Sequence, residues 1–67
     1  MSVVKVIEVM ANSSKSWEDA AQIAVTKAAK TLSGIKSIYI VDHSAAVDQN
    51  KIVEYRITAK ISFLLEE

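Results

Sequence analysis

Arg56, in the run EYRI, carries the most legible chemistry in the chain. A guanidinium on a strand face forks onto a carboxylate or a phosphate, so it serves either an ion pair at an interface or an anionic ligand. Glu54 and Asp42 are the carboxylates available to pair with it. Hard cations need several oxygens converging on one point, and no segment offers the spaced acidic loop of an EF-hand, so a cation site built from one chain is not expected. Symmetry changes that count. One carboxylate repeated about a threefold axis supplies three ligands, and Asp42, Asp48, Glu54, Glu66 and Glu67 are the acids of the strand and loop regions that could do so. His43 is the only histidine. Beside a polar loop and without a metal-ligand pattern around it, it reads as a solvated or hydrogen-bonded residue. Trp17 reads as packing over the end of a sheet or against a neighbouring subunit. Catalysis has no footing: there is no cysteine, no glycine-rich phosphate loop and no recognisable acid and base pair of carboxylates, and one histidine among scattered serines is not a triad. The expected protein is not an enzyme.

These side chains must be positioned by the elements around them. The spacing predicts a helix over 13–32, in SSKSWEDAAQIAVTKAAKTL, with Trp17, Ala20, Ala21, Ala24, Ala28, Thr31 and Leu32 on one side. That stripe is small in its middle, which lets the backbone lie close to a flat partner such as a sheet. Lys15, Asp19, Gln22, Thr26, Lys27 and Lys30 form the wet side. Ser13, Ser14 and Ser16 all offer N-cap oxygens, and Ser16 with Asp19 resembles a capping box. Gly34, the only glycine, stands where a left-handed residue closing the helix is expected.

Three strands surround this helix in sequence. Residues 3–10 are rich in valine and isoleucine and predict a strand with apolar contacts on both faces, after which Ala11 and Asn12 turn into the helix. Residues 35–42, IKSIYIVD, predict the second strand, with Ser37, Tyr39 and Val41 on one side. Residues 43–51 form a polar connection whose turn formers are Asp48, Gln49 and Asn50. The last strand, 52–64, alternates most cleanly: Val53, Tyr55, Ile57, Ala59, Ile61 and Phe63 face one way, Glu54, Arg56, Thr58, Lys60 and Ser62 the other. The order strand, helix, strand, strand is an α+β, βαββ chain. Its simplest sheet is three-stranded in the order 1-3-2, the third strand lying between the other two and antiparallel to both.

Size and composition then say what such a chain must do. A chain of 67 residues reads as a single domain over 1–67, and a domain of that size buries only about 60% of the surface it exposes unfolded. It has neither a disulfide nor a metal pattern to help, while its apolar fraction is 51%. Self-association is the remaining source of stability, and a single helix cannot cover three long strands. Net charge is zero and the eight basic residues are scattered, so neither nucleic acid nor an anionic membrane is an expected partner. No apolar run reaches membrane-spanning length, and MSVVKVIEV lacks the parts of a signal peptide, which makes the cytoplasm the expected compartment.

The order of elements, the helix start SWEDAAQIAVTKA and the ending KIVEYRITAKISFLLEE resemble the dodecin family over essentially the whole chain. The resemblance implies a βαββ subunit whose sheet wraps around one helix, and a hollow homododecamer. Flavin-binding dodecins use a tryptophan at the start of the second strand and a glutamine on the third to hold stacked flavins, FMN or riboflavin, across subunit contacts. Here those positions fall on Ser37 and Arg56. Ser37 has no π-face, and Trp17, in the first helical turn, is no substitute. Tyr39, on the face of Ser37, is the aromatic that could offer a ring near the family's pocket. The runs SWE, AVD and YRI look more like the calcium-dodecin type, which lacks the flavin tryptophan.

The resemblance therefore implies a non-enzymatic homo-oligomeric shell that binds or stores a small flavin-type or anionic ligand at Ser37, Tyr39 and Arg56. Its alternatives are a variant binding calcium or another cation through Asp42, Asp48 or Glu54, and a structural assembly without ligand.

Overall fold

In the computed structural model, which describes residues 3–65, the chain runs β1 (Val4–Ser13), α1 (Trp17–Ala28), β2 (Ile35–Asp48) and β3 (Lys51–Leu64). The sheet has the expected order, β1-β3-β2, with both pairings antiparallel. The alternation of β3 decides which face is buried. Ile57, Ala59, Ile61 and Phe63 are buried, and Ala20 of α1 packs with Ile57 and Ala59 into a core flanked by Val9, Ala11, Trp17, Ala21 and Ile38. Ala20 and Ala24 are the buried residues of the helix, so the small stripe does lie on the sheet.

The helix is shorter than its apolar spacing implies. Ser13 belongs to β1, where it pairs with Tyr55, and its hydroxyl accepts from the Lys15 N–H at 2.9 Å. Ser16 is the N-cap, accepting from the Asp19 N–H at 2.9 Å. Asp19 does not complete a reciprocal capping box, because its carboxylate accepts from the Ser13 hydroxyl at 2.6 Å. At the other end the chain tightens after Ala28. Lys30 and Thr31 donate to the carbonyls three residues back, Lys27 and Ala28, both at 3.1 Å, the narrower winding that often finishes a helix. Gly34 has the left-handed φ of +71°, but its place is the entry to β2. Its carbonyl accepts from Leu64 N–H at 2.9 Å, and a Cβ there would lie 3.3 Å from the Leu64 Cβ.

The strands are longer than expected, and for one reason. Ala11 and Asn12 do not turn; they continue β1 opposite Ile57 and Arg56. Residues 43–48 are not a loop; they continue β2 opposite Ile57 to Lys51. Partners on β3 satisfy backbone groups that would otherwise look for water. The turn is left to Gln49 and Asn50, whose φ values of 52° and 68° are both left-handed, as in the two-residue hairpin turns that match strand twist. A 12-residue helix covers about 18 Å, whereas a 14-residue strand runs about 46 Å, so α1 backs well under half of the hairpin. The described residues span 51 × 20 × 13 Å.

Candidate functional site

Side chains directly opposite in an antiparallel sheet share a face. Because Ile57, Ala59 and Ile61 turn to the helix, Arg56, Thr58, Lys60 and Ser62 turn away from it, together with the residues paired to them. The away-facing rows read Val6–Ser62–Ser37, Glu8–Lys60–Tyr39, Met10–Thr58–Asp42 and Asn12–Arg56–Ser44, and Glu54 follows opposite Ala46. Ser37, Tyr39, Arg56, Asp42 and Glu54 thus occupy one face of the sheet; strict alternation from Tyr39 turns Asp42 to the other face, and the bulge at 40–42 brings it round. Register spreads them along it. Six residues of β3 separate the row of Ser37 from that of Arg56, about 20 Å, and four separate Tyr39's row from Arg56, about 13 Å.

Each position has a definite setting. The Ser37 hydroxyl is engaged, sharing a hydrogen bond of 2.5 Å with that of Ser62. Tyr39 is 60% exposed on edge strand β2 and lies opposite Lys60, so both a ring and an ammonium are presented outward. Arg56 is exposed in the row of Asn12 and Ser44. Lys60 and Ser62 are the members of this surface that sequence reasoning passed over. The alternation of β3 already put them on Arg56's face, but which residues of β2 they would meet depended on bulges at 35–37 and 40–42 that no local pattern announces.

The acids proposed for a cation are likewise dispersed: Asp42 opposite Thr58, Glu54 opposite Ala46, and Asp48 opposite Lys51 beside the turn. Among the described residues, no group of three or more His, Asp or Glu side chains is placed to hold a metal ion. Glu66 and Glu67 lie outside the described residues.

A second cluster forms on the helix side. The Trp17 indole N–H donates to the Ser44 carbonyl at 2.9 Å, and its ring meets Tyr55 and His43 edge-on with centroids 4.9 and 5.1 Å apart. Trp17 thus packs over the sheet where the helix begins. His43 is exposed, in keeping with a solvated residue, but its setting is corrected: it is a strand residue beside an indole, not a neighbour of a loop. The three rings close the end of the core, and two of them, Trp17 and His43, border an open cleft of about 340 Å³ lined also by Ile40 and Ile57.

Comparison with known proteins places this geometry. The dodecin family model matches residues 3–66. The calcium dodecin of Mycobacterium tuberculosis is 38% identical over 63 residues, covering 94% of this chain and 89% of that protein. The crystal structure of calcium dodecin from the same organism, described as having a novel calcium-binding site, superposes with a TM-score of 0.82 at 34% identity over 96% of this chain and 91% of that one. A dodecin variant from Thermus thermophilus superposes more closely, with a TM-score of 0.94 at 27% identity, each chain covered in full. Sequence leans toward one of these relatives and backbone toward the other.

Proposed function

The chain belongs to the dodecin family, and from that premise we propose that it works as a non-enzymatic assembly of identical subunits, a dodecamer, holding a small ligand where subunits meet. The observation that carries this is the spread of Ser37, Tyr39 and Arg56: they share one face of the sheet, yet register keeps them about 13–20 Å apart along it. A ligand that touches both ends must take one end from a neighbouring copy.

The residues suit an anionic ligand with a flat group. Arg56 forks onto phosphate or carboxylate, Lys60 adds a second positive charge, and Tyr39 offers the exposed ring that Ser37 cannot. A flavin held here would be recognised chiefly through its phosphate, so FMN is expected to bind more tightly than riboflavin. Fluorescence titration of both tests this. The preference should disappear in Arg56→Ala, and equal affinity of the parent chain for the two flavins would overturn recognition through the anion. A cytoplasmic location is part of the same proposal.

A second reading is favoured by the identity shared with calcium dodecin. Here a carboxylate from Asp42, Asp48 or Glu54, repeated about a symmetry axis, supplies the oxygens that one chain does not gather. Calcium that binds only the folded assembly raises the melting temperature, and chelator lowers it again. A melting temperature indifferent to both would remove this reading.

A further inference from the structure

The helix does not sit evenly on its sheet. α1 packs more on β1 and β3 than on β2, so Ile40, which pairs with Ala59 on the helix side, stays 46% exposed. The gap is the open cleft of about 340 Å³ beside Trp17, lined by Glu18 and Ala21 of α1, Ile40 and His43 of β2 and Ile57 of β3. It lies on the opposite side of the sheet from Arg56, Lys60 and Tyr39, and the proposed anion surface makes no use of it.

Its lining has a definite chemistry. Ala21, Ile40 and Ile57 contribute aliphatic surface. The rings of Trp17 and His43 border the cleft at 77° to one another with centroids 5.1 Å apart, so two aromatic walls meet at a corner. The Trp17 N–H is already committed to the Ser44 carbonyl, and Tyr55 packs edge-on against the same indole, which leaves a fixed ring without a free donor. No lysine or arginine lines the cleft, and Glu18 supplies its one carboxylate. Glu18 and Asp19 both stand in the first turn of α1, where they outweigh Lys15 and the roughly half positive charge of the helix end.

An anion would meet a carboxylate here and an indole whose N–H is taken. A metal ion would find too few oxygens to replace its water. An organic cation fits: aromatic faces attract positive charge, the carboxylate neutralises it, and alkyl groups on the nitrogen cover Ile40 and Ala21. Alkylation matters, because a bare ammonium is strongly hydrated and leaves water reluctantly. A volume at the small end of ligand clefts limits the guest to a small molecule. We propose that this cleft binds a small alkylated ammonium compound, its nitrogen against the Trp17 indole and the Glu18 carboxylate at the mouth, independently of any ligand on the other face of the sheet.

Trp17 is the only tryptophan, so its emission reports from the wall of the cleft. The full chain is titrated with choline in mildly alkaline buffer, against sodium chloride at equal ionic strength, with isothermal titration calorimetry beside the fluorescence. Choline should give a saturable response in both, and its uncharged carbon isostere, with tert-butyl in place of trimethylammonium, should bind about fivefold more weakly or worse. Glu18→Gln should weaken choline about twofold to fivefold, as loss of an exposed charge partner does. Glu8→Gln, the same change of charge on the other face, should leave the affinity as it was. Ile40→Lys, which sets a competing ammonium beside the cleft, should abolish binding while circular dichroism shows the fold intact. An isostere that binds as tightly as choline would overturn recognition of the charge. Glu18→Gln that binds no more weakly than Glu8→Gln, or Ile40→Lys that binds like the parent, would overturn the location. A parent chain with no saturable response by either method would overturn the site altogether, and FMN binding on the other face would stand or fall separately.

Discussion

Ile57 and Val53 belong to the same alternating series on the same strand, yet Ile57 is 2% exposed and Val53 49%. What differs is what backs them. The sheet around Ile57 has β1 on one flank, β2 on the other and Ala20 against it; at Val53 there is only the opposing arm of the hairpin. An apolar period of two therefore identifies a strand face that needs cover without saying whether the same chain supplies it. In this molecule the length of α1 sets that boundary, and Trp17, hydrogen-bonded to Ser44 at the foot of the arm, marks it.

The largest test of the contrast sets one isoleucine from each region against the other. Ile61→Ala removes a fully buried side chain and should cost about 2–5 kcal/mol in denaturant unfolding. Ile52→Ala, measured below the concentration of assembly, should stay within about 0.5 kcal/mol, as surface substitutions do. Equal losses would mean that the hairpin end is as well supported as the body. A smaller effect comes from the helix side. Ala24 is 7% exposed where α1 approaches the sheet, and Ala24→Leu should overpack that contact at a cost of about 1–3 kcal/mol in the same unfolding measurement. A variant as stable as the parent would show that the helix can lift away without loss.

Strand order and helix face were legible in the sequence because the first follows from the order of the elements and their connections and the second from local periodicity. The alternation from Val53 to Phe63 and the alanine stripe of α1 each name a buried side without reference to any other element. The strand lengths were not legible. Ala11, Asn12 and the run HSAAVD look like turn and loop by type, and only pairing with β3 makes them strand. The candidate site shared this limit. Alternation placed Arg56 and Lys60 on one face, but the hydroxyl pair of Ser37 with Ser62 and the row of Tyr39 with Lys60 depend on bulges in β2. Family resemblance supplied Ser37 as a position; register supplied its neighbours. Gly34 shows the reverse case, a residue whose left-handed φ was foreseen for one purpose and is used for another, the close approach to Leu64.

The smallest effect lies on the boundary itself. Three serines precede α1, and their tasks are separate: Ser16 accepts from the Asp19 N–H, while Ser13 donates to the Asp19 carboxylate from the last residue of β1. Ser16→Ala leaves a first-turn N–H without its oxygen and should cost about 1 kcal/mol in denaturant unfolding, whereas Ser16→Gly should cost only a few tenths. The cap fixes where α1 starts, and Trp17 follows it directly, so fraying at Ser16 should loosen the indole over Tyr55 and His43 and change Trp17 emission. It should not alter the concentration of half-assembly, because the exposed Val47 and Ile52 of the hairpin end lie beyond the helix. Destabilisation that appeared equally in assembly would join the two regions into one cooperative unit, and the difference between backed and bare sheet would then concern exposure alone.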